Sequence, residues 1–281
     1  HQRRHALNYK VVFQNVGIPT RRYFRAVPLD RWFMKTVLRQ ADQCLVLSAF
    51  AQQTLAREFG VAARVLPPPV SVGDFRAAAA QALAPSPTLL FVGDLDEPRK
   101  GARVLCQAFV RLKRHRPDLK LRFVGRASPP TRQALAELPG VSGVNNAIEF
   151  EGVGQVASLP AQFNAASVTV LPSVWEAFGL VLVESLAAGT PVVGARHGGV
   201  TDIIQGELVG ELFDPGNFEQ QSLAAESLAS AIETVLARGK TPEVIAACQA
   251  RAASFGWDVQ GPAYIDLIEA LGRGGLGQGP I

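Results

Sequence analysis

Three features of the 281-residue sequence predict an α/β fold in which a partial Rossmann-like domain precedes a complete, doubly wound one. Short β-branched runs alternate with longer helical patterns, the order expected of parallel strands joined by crossover helices. Hydrophobic residues make up 48% of the chain and charged residues 19%, which describes a well-buried globular protein. An Ala-rich stretch with two prolines and no apolar face, residues 77–87, separates a short first series from a long second one.

In the first series, residues 9–14 (YKVVFQ) and 43–48 (QCLVLS) read as strands, with an amphipathic helix at 29–40 between them. Residues 49–59 form the next helix, closed by Gly60. Residues 63–69 (ARVLPPP) begin as a strand and run into three prolines, which stop it. Three strands are too few for a full sheet, and no opening strand with a Gly-rich turn precedes them. The segment 1–76 is therefore read as a partial N-terminal domain. The chain opens on His1 with no apolar signal core, which reads as a partial start and not as a targeting segment.

The second series is longer. Strands are expected at 88–92, 120–124, 147–150, 167–171, 191–194 and 211–213. Helices are expected at 103–114, 131–138, 156–165, 179–188, 200–205, 219–237, 242–254 and 258–271. The domain division follows: 77–87 a linker, 88–258 the ligand-binding domain, 259–281 a final helix with a Gly-rich tail.

Composition excludes several classes. No run of eighteen apolar residues occurs, so no helix is expected to span a membrane. Cys44, Cys106 and Cys248 are dispersed and odd in number, as buried small hydrophobes in a reducing cytoplasm would be. His1, His5, His115 and His197 make no metal-ligand spacing, so no metal is expected. No G-x-G-x-x-G follows a strand, which argues against a dinucleotide cofactor. Charge is unevenly spread: from His1 to Gln40 there are nine Lys or Arg against the single acid Asp30. The run Arg21-Arg22-Tyr23-Phe24-Arg25, followed by Trp32 and Lys35, suits peripheral contact with a membrane. It equally suits a helix covering its own core with arginine stems, and that use is preferred.

The chemistry concentrates in the second series. After the strand ending at Leu171 comes Ser173-Val-Trp-Glu176-Ala177-Phe178-Gly179-Leu180, with Glu184 inside the following helix. Free N–H groups at that helix start, together with the helix dipole, make a diphosphate site. Glu176 and Glu184 stand eight positions apart, too far to share a proton. They suit two anchors on an elongated ligand, each accepting hydrogen bonds from sugar hydroxyls. A second element, Gly93-Asp94 through Arg99-Lys100-Gly101, places a lysine at a helix start, where it can meet a phosphate. Phe150-Glu151-Gly152-Val153 and Val124-Gly125-Arg126 lie at further strand ends, where ligands of open α/β sheets gather.

The segment from Pro172 to Asp202 closely resembles the E-x7-E signature of retaining GT-B glycosyltransferases of family four, the glycosyl transferase group 1. The match runs through Pro172–Ser173, Glu176, Phe178–Leu180, Glu184, Ala187–Val193, Gly198–Gly199 and Asp202. The resemblance implies a GT-B fold whose acceptor site lies mainly on the first domain. It implies that Glu176 contacts the donor sugar, that the amides of Phe178–Leu180 hold the diphosphate, and that Glu184 holds the ribose. It implies base contacts through the backbone of Phe150, Gly152 and Val153. Where the family reads Gly-Arg-x5-Lys-Gly, this chain has Gly93-Asp94 and Lys100-Gly101. Asp94 thus stands where a phosphate-binding arginine is expected, and Arg99 or Arg126 is the candidate replacement. The position near the reacting centre where relatives often carry His holds Gln14 or Asn15.

The expected function is transfer of a hexose from a UDP- or GDP-sugar to an acceptor that the sequence does not identify, with retention and without a metal; a lipid-linked or polysaccharide intermediate is one option. Glu176 and Lys100 are the expected catalytic residues. Gly93, Asp94, Arg99, Arg126, Phe150, Gly152, Val153, Ala177, Phe178, Gly179, Leu180 and Glu184 are expected to bind the donor. The expected location is the cytoplasm, with optional contact at the inner face of the membrane and no nucleic-acid partner. The alternative is a nucleotide-sugar-binding module with little or no transfer activity. An epimerase on the same scaffold fits the E-x7-E context less well.

Overall fold

The computed structural model describes residues 10–15, 17, 27–77, 86–154, 156–216 and 221–273. The chain forms two compact units, residues 1–69 with 256–281, and residues 70–255.

The first unit carries strand β1 (Val12–Asn15), helix α1 (Pro28–Gln40), strand β2 (Gln43–Val46), helix α2 (Ala49–Phe59) and strand β3 (Arg64–Val65). The strands pair in parallel in the order β1-β2-β3. Ser48 starts α2 by accepting a hydrogen bond from the Ala51 amide, and Gly60 ends it in the left-handed conformation. Leu38, Cys44, Val46, Leu55 and Phe59 form the core between these helices and the sheet. The strand expected over 63–69 is shorter than its pattern, because Pro67, Pro68 and Pro69 have no N–H to donate to a ladder. The basic run Arg21–Arg25 lies outside the described residues. On α1, Leu29, Trp32 and Phe33 are exposed.

The second unit opens with α3 (Val72–Ala77) and continues with β4 (Thr88–Val92), α4 (Ala102–Lys113), β5 (Lys120–Val124), α5 (Pro129–Ala136) and β6 (Ile148–Glu151). Then come α6 (Leu159–Ala165), β7 (Val168–Leu171), α7 (Leu180–Ala187), β8 (Val192–Ala195), α8 (Val200–Ile203) and β9 (Gly210–Phe213). Helices α9 (Gln221–Arg238) and α10 (Pro242–Ala253) complete it. The six strands are all parallel in the order β6-β5-β4-β7-β8-β9. The central strands β4, β7 and β8 are nearly all apolar and buried, as burial on both faces requires, whereas β5, β6 and β9 carry charged residues that are only partly buried. Phe91 meets Phe123 edge-on at 5.4 Å, and Phe123 stacks on Phe150 at 5.2 Å, tying β4, β5 and β6 together.

Helix α3 was not expected, since six residues are too few to show a period. It falls in the sequence segment assigned to the first domain but packs in the second unit, where Phe75 meets Phe163 at 5.9 Å. Most of the expected linker, residues 78–85, lies outside the described residues. The last helix, α11 (Trp257–Gly272), belongs to the first unit. It sets Leu267 against Leu45 and Leu66.

A buried polar lock fixes α7. The Ser185 hydroxyl donates to Thr169 Oγ1 on β7 at 2.8 Å, and Thr190 Oγ1 donates to the Phe163 carbonyl at 2.6 Å. Lys240 Nζ donates to Thr190 Oγ1 at 2.7 Å and to the Asn164 carbonyl at 2.6 Å. Each of these buried groups is satisfied, as a low-dielectric interior demands. Ser185 therefore fixes the rotation of α7 and with it the position of its neighbour Glu184.

At the carboxyl edge the chain crosses itself closely. Val92 and Val124 are register partners, and Gly93 N–H donates to the Val124 carbonyl at 2.9 Å. A Cβ on Gly125 would lie 1.9 Å from the Gly93 carbonyl oxygen, and Gly125 has φ +139°. Gly125→Ala is thus expected to lower stability by about 1–3 kcal/mol or more, read by denaturant unfolding. Gly152→Ala, whose Cβ would meet nothing within 4 Å, serves as the control and should stay within about 0.5 kcal/mol. Equal midpoints for the two variants would remove the close-approach account.

Candidate active site

The strand order creates a topological switch. From β4 the chain steps outward to β5 and β6, then returns to the other side of β4 as β7. Two crossovers of opposite direction leave a crevice beyond the carboxyl ends of β4 and β7, the general binding place of open α/β sheets. The loop after β4 (residues 93–101) and the loop after β7 (residues 172–179) both open there.

These loops are joined. Pro98–Lys100 forms a single 3-10 turn, Gly101 sits at φ +77°, and α4 begins at Ala102. A side chain at Gly101 would collide with the Pro172 carbonyl, 2.3 Å from its Cβ. Val174 N–H donates to the Arg99 carbonyl at 3.0 Å, and Arg99 Nη1 donates to the Trp175 carbonyl at 3.1 Å. The outcome is a contact between the two sequence-predicted catalytic residues: Lys100 Nζ donates to Glu176 Oε2 at 2.9 Å. Their side chains are 19% and 15% exposed, so the pair is largely shielded but not sealed from solvent. Arg99 is more open and its Nη2 lies 2.5 Å from Glu97 Oε2.

Beyond Glu176 the backbone turns into α7. The Glu176 carbonyl accepts from Gly199 N–H at 3.1 Å, which seats the loop on the Gly198–Gly199 turn after β8. Ala177 is half-buried. Phe178 is buried, its ring meeting Phe255 edge-on at 5.4 Å, so only its backbone can serve a ligand. Gly179 caps the helix at φ +106°, and Leu180 follows as its first, exposed residue. The first N–H groups of an α-helix have no partner within it, so the start of α7 offers donors and a positive dipole end to an anion. Glu184 lies one turn on. Its carboxyl is pushed above the ordinary glutamate range by burial, and it has no side-chain hydrogen-bond partner among the described residues. Trp175 and His197 stack at a tilt beside this loop, ring centroids 5.0 Å apart, and burial holds the His197 imidazole below its ordinary range.

On the β5 side of the crevice, Asp94 does not project as a bare anion. Its Oδ2 lies 2.5 Å from Arg126 Nη2, and its Oδ1 accepts from Asp96 N–H at 2.9 Å. The hydrogen bond from Arg126 holds the Asp94 carboxyl below its usual range. Asp96 Oδ1 accepts from Ser128 N–H at 2.9 Å, Ser128 Oγ at 2.8 Å and Thr131 Oγ1 at 2.6 Å. That carboxyl too is held low, chiefly by Thr131. At the end of β6 the Phe150 side chain belongs to the core stack, with the Arg132 guanidinium 5.3 Å over its ring. Gly152 and Val153 are exposed on the rim.

Sequence reading therefore reaches Lys100, Glu176, Arg99 and the start of α7, which the structure brings to one crevice. It also reaches Asp94 and Arg126 but not their pairing, and it misses the Asp96–Ser128–Thr131 brace altogether. The partners stand 32 or more residues apart. The parallel register of Val92 with Val124 is the only signal that could have joined them. Among the described residues no group of three or more His, Cys, Asp or Glu could hold a metal ion. No helix among them is long and apolar enough to cross a membrane.

Comparison with known proteins agrees with this geometry. The solved sucrose-phosphate synthase of Thermosynechococcus elongatus superposes with a TM-score of 0.78 at 25% identity, covering 98% of this chain and 71% of that one. Anabaena Alr3699/HepE, solved in complex with UDP and glucose, superposes at 0.76 with 19% identity, covering 95% and 73%. In sequence, the D-inositol 3-phosphate glycosyltransferase of Segniliparus rotundus is 34% identical over 223 residues, 75% of this chain and 47% of that protein. The MMP alpha-(1->4)-mannosyltransferase of Mycolicibacterium hassiacum is 27% identical over 201 residues, 68% and 47%. The chain spans about half the length of the curated relatives it matches. The family model described as glycosyl transferases group 1 matches residues 86–238, more than half of the chain and the whole of the six-stranded sheet with its crevice. With the GT-B architecture and the E-x7-E segment in place around that crevice, the chain belongs to the group 1 glycosyl transferases.

Proposed function

We propose that the crevice binds a nucleoside-diphosphate sugar and that the protein transfers its hexose to an acceptor with retention of configuration. The observation that carries this is the Lys100–Glu176 pair at 2.9 Å beside the start of α7. A cation, a carboxylate and a helix N-terminus at one switch point match the three parts of such a donor. Lys100 and the Phe178–Leu180 amides take the diphosphate, Glu176 takes sugar hydroxyls, and Glu184 takes the ribose. Backbone at Gly152 and Val153 faces the base. The solved relative that carries UDP and glucose supports a uridine donor, and a GDP-sugar fits the same contacts.

Lys100 and Glu176 satisfy each other. A donor would exchange that pair for two others, Lys100 with phosphate and Glu176 with a hydroxyl, at little net cost in buried charge. The leaving diphosphate can then take the acceptor proton, so the protein needs no nucleophile; it supplies position and charge. This scheme assigns no step to a metal, and transfer should survive a chelator. The acceptor is proposed to be a lipid-linked or polysaccharide intermediate. A binding module without transfer is the second reading. It is favoured by the acid at position 94, and donor turnover by the full-length protein separates the two.

The first test is thermal stabilisation by UDP, GDP, ADP and their sugars. Ligand at a hundred times its dissociation constant adds about 2.7 kcal/mol. No shift with any nucleotide would sink the proposal. Lys100→Ala is expected to weaken nucleoside-diphosphate binding about tenfold or more. Glu176→Gln, which unties Lys100, should keep or raise that affinity while cutting transfer at least tenfold; calorimetry and product assays read the two effects.

Glu184 gives a pH test. Its folded carboxyl resists ionisation, so its contribution to stability falls as pH rises from the unfolded value through the raised folded one. Glu184→Gln should therefore gain in melting temperature over the parent between pH 4 and pH 7 while losing nucleotide affinity. A constant difference across that range would contradict the raised carboxyl.

A further inference from the structure

We propose that Arg126, held by Asp94, is a diphosphate-contacting residue of this crevice, an inference that rests on the donor-binding reading above. Lys100 and Arg99 are both engaged, Lys100 with Glu176 and Arg99 with Glu97 and the Trp175 carbonyl. Arg126 is committed differently. Its Nη2 bonds Asp94 Oδ2 and its Nε lies 3.5 Å from Asp96 Oδ2, yet its side chain is 65% exposed. A guanidinium has five donors in a planar fork, so one edge can be held by carboxylates while the other meets a phosphate.

Both the main chain and the side chain of Arg126 are fixed to the loop after β4. Leu95 N–H donates to the Arg126 carbonyl at 2.8 Å, just beyond the Gly93–Gly125 contact. Asp94 is fixed in turn by Asp96 N–H, and Asp96 by Ser128 and Thr131. The guanidinium thus stands at the carboxyl edge of β5, the strand next to β4, with its orientation set before any ligand arrives. Asp94 acts as a positioning residue. Its charge, which alone would repel a diphosphate, is spent on aiming the arginine. Lys100 from the β4 loop and Arg126 from the β5 loop would then approach the diphosphate from two sides.

The test is calorimetric titration of the full chain with UDP, GDP and ADP, and with uridine, guanosine and adenosine. For whichever base binds, Arg126→Ala should lose about tenfold or more in affinity for the nucleoside diphosphate and nothing for the nucleoside. Arg126→Lys should not restore it, because a lysine cannot hold Asp94 and a phosphate in one plane. In an Asp94→Ala background the loss on removing Arg126 should shrink, which a merely structural role of Asp94 would not produce. Unfolding of the ligand-free variants confirms that each is folded. If the parent chain binds a nucleoside diphosphate and Arg126→Ala binds it equally well, the inference is overturned and the donor reading stands. If the parent binds none of the three, the donor reading itself fails and this inference with it. An equal loss on removing Arg126 in both backgrounds overturns the positioning role of Asp94.

Discussion

Two loops leaving neighbouring parallel strands must touch backbone to backbone before Lys100 can reach Glu176. That constraint governs the crevice. Gly101 admits the Pro172 carbonyl to a distance no Cβ allows, and the Arg99–Val174 hydrogen bond then holds the loops in register. The same device recurs one strand over, where Gly125 lies against Gly93. Side-chain chemistry at the rim is therefore downstream of main-chain packing. A substitution that adds one carbon at either crossing disturbs charges several residues away.

The electrostatic consequence is a rim with more acids than bases. Asp94, Asp96, Glu97, Glu176 and Glu184 stand against Arg99, Lys100 and Arg126. An anionic donor enters such a place only if the acids are already engaged or are themselves hydrogen-bond acceptors for the ligand. Four of them are tied to cations, hydroxyls or amides, and the fifth, Glu184, is kept reluctant to ionise by burial.

Much of this was legible in the sequence, for an identifiable reason. The 171–202 segment is contiguous, so its strand, loop, helix start and second carboxylate could be read along the chain. The alternation of apolar runs likewise yielded each strand of the six-stranded sheet to within a residue or two at either end. What was not legible depends on strands meeting sideways. Asp94 read as a defect because Arg126 is 32 residues away, and the Asp96 brace was invisible for the same reason. The resemblance implies that Phe150 serves the donor through its backbone; that its side chain joins the core stack with Phe123 depends on strand pairing and is not legible in the sequence. Helix α3 was missed because six residues carry no period, while proline chemistry shortened β3.

Because every strand of the six-stranded sheet points the same way, the molecule has a working edge and an idle one. The turns that feed strands at the opposite edge, such as the exposed Arg114, His115 and Asp118 ahead of β5, take no part in the crevice. A fluorophore, an affinity tag or an inserted peptide placed there sits a full strand length from the crevice. The fold thus separates the surface that can be engineered freely from the surface that cannot, and the direction of the strands alone draws the line.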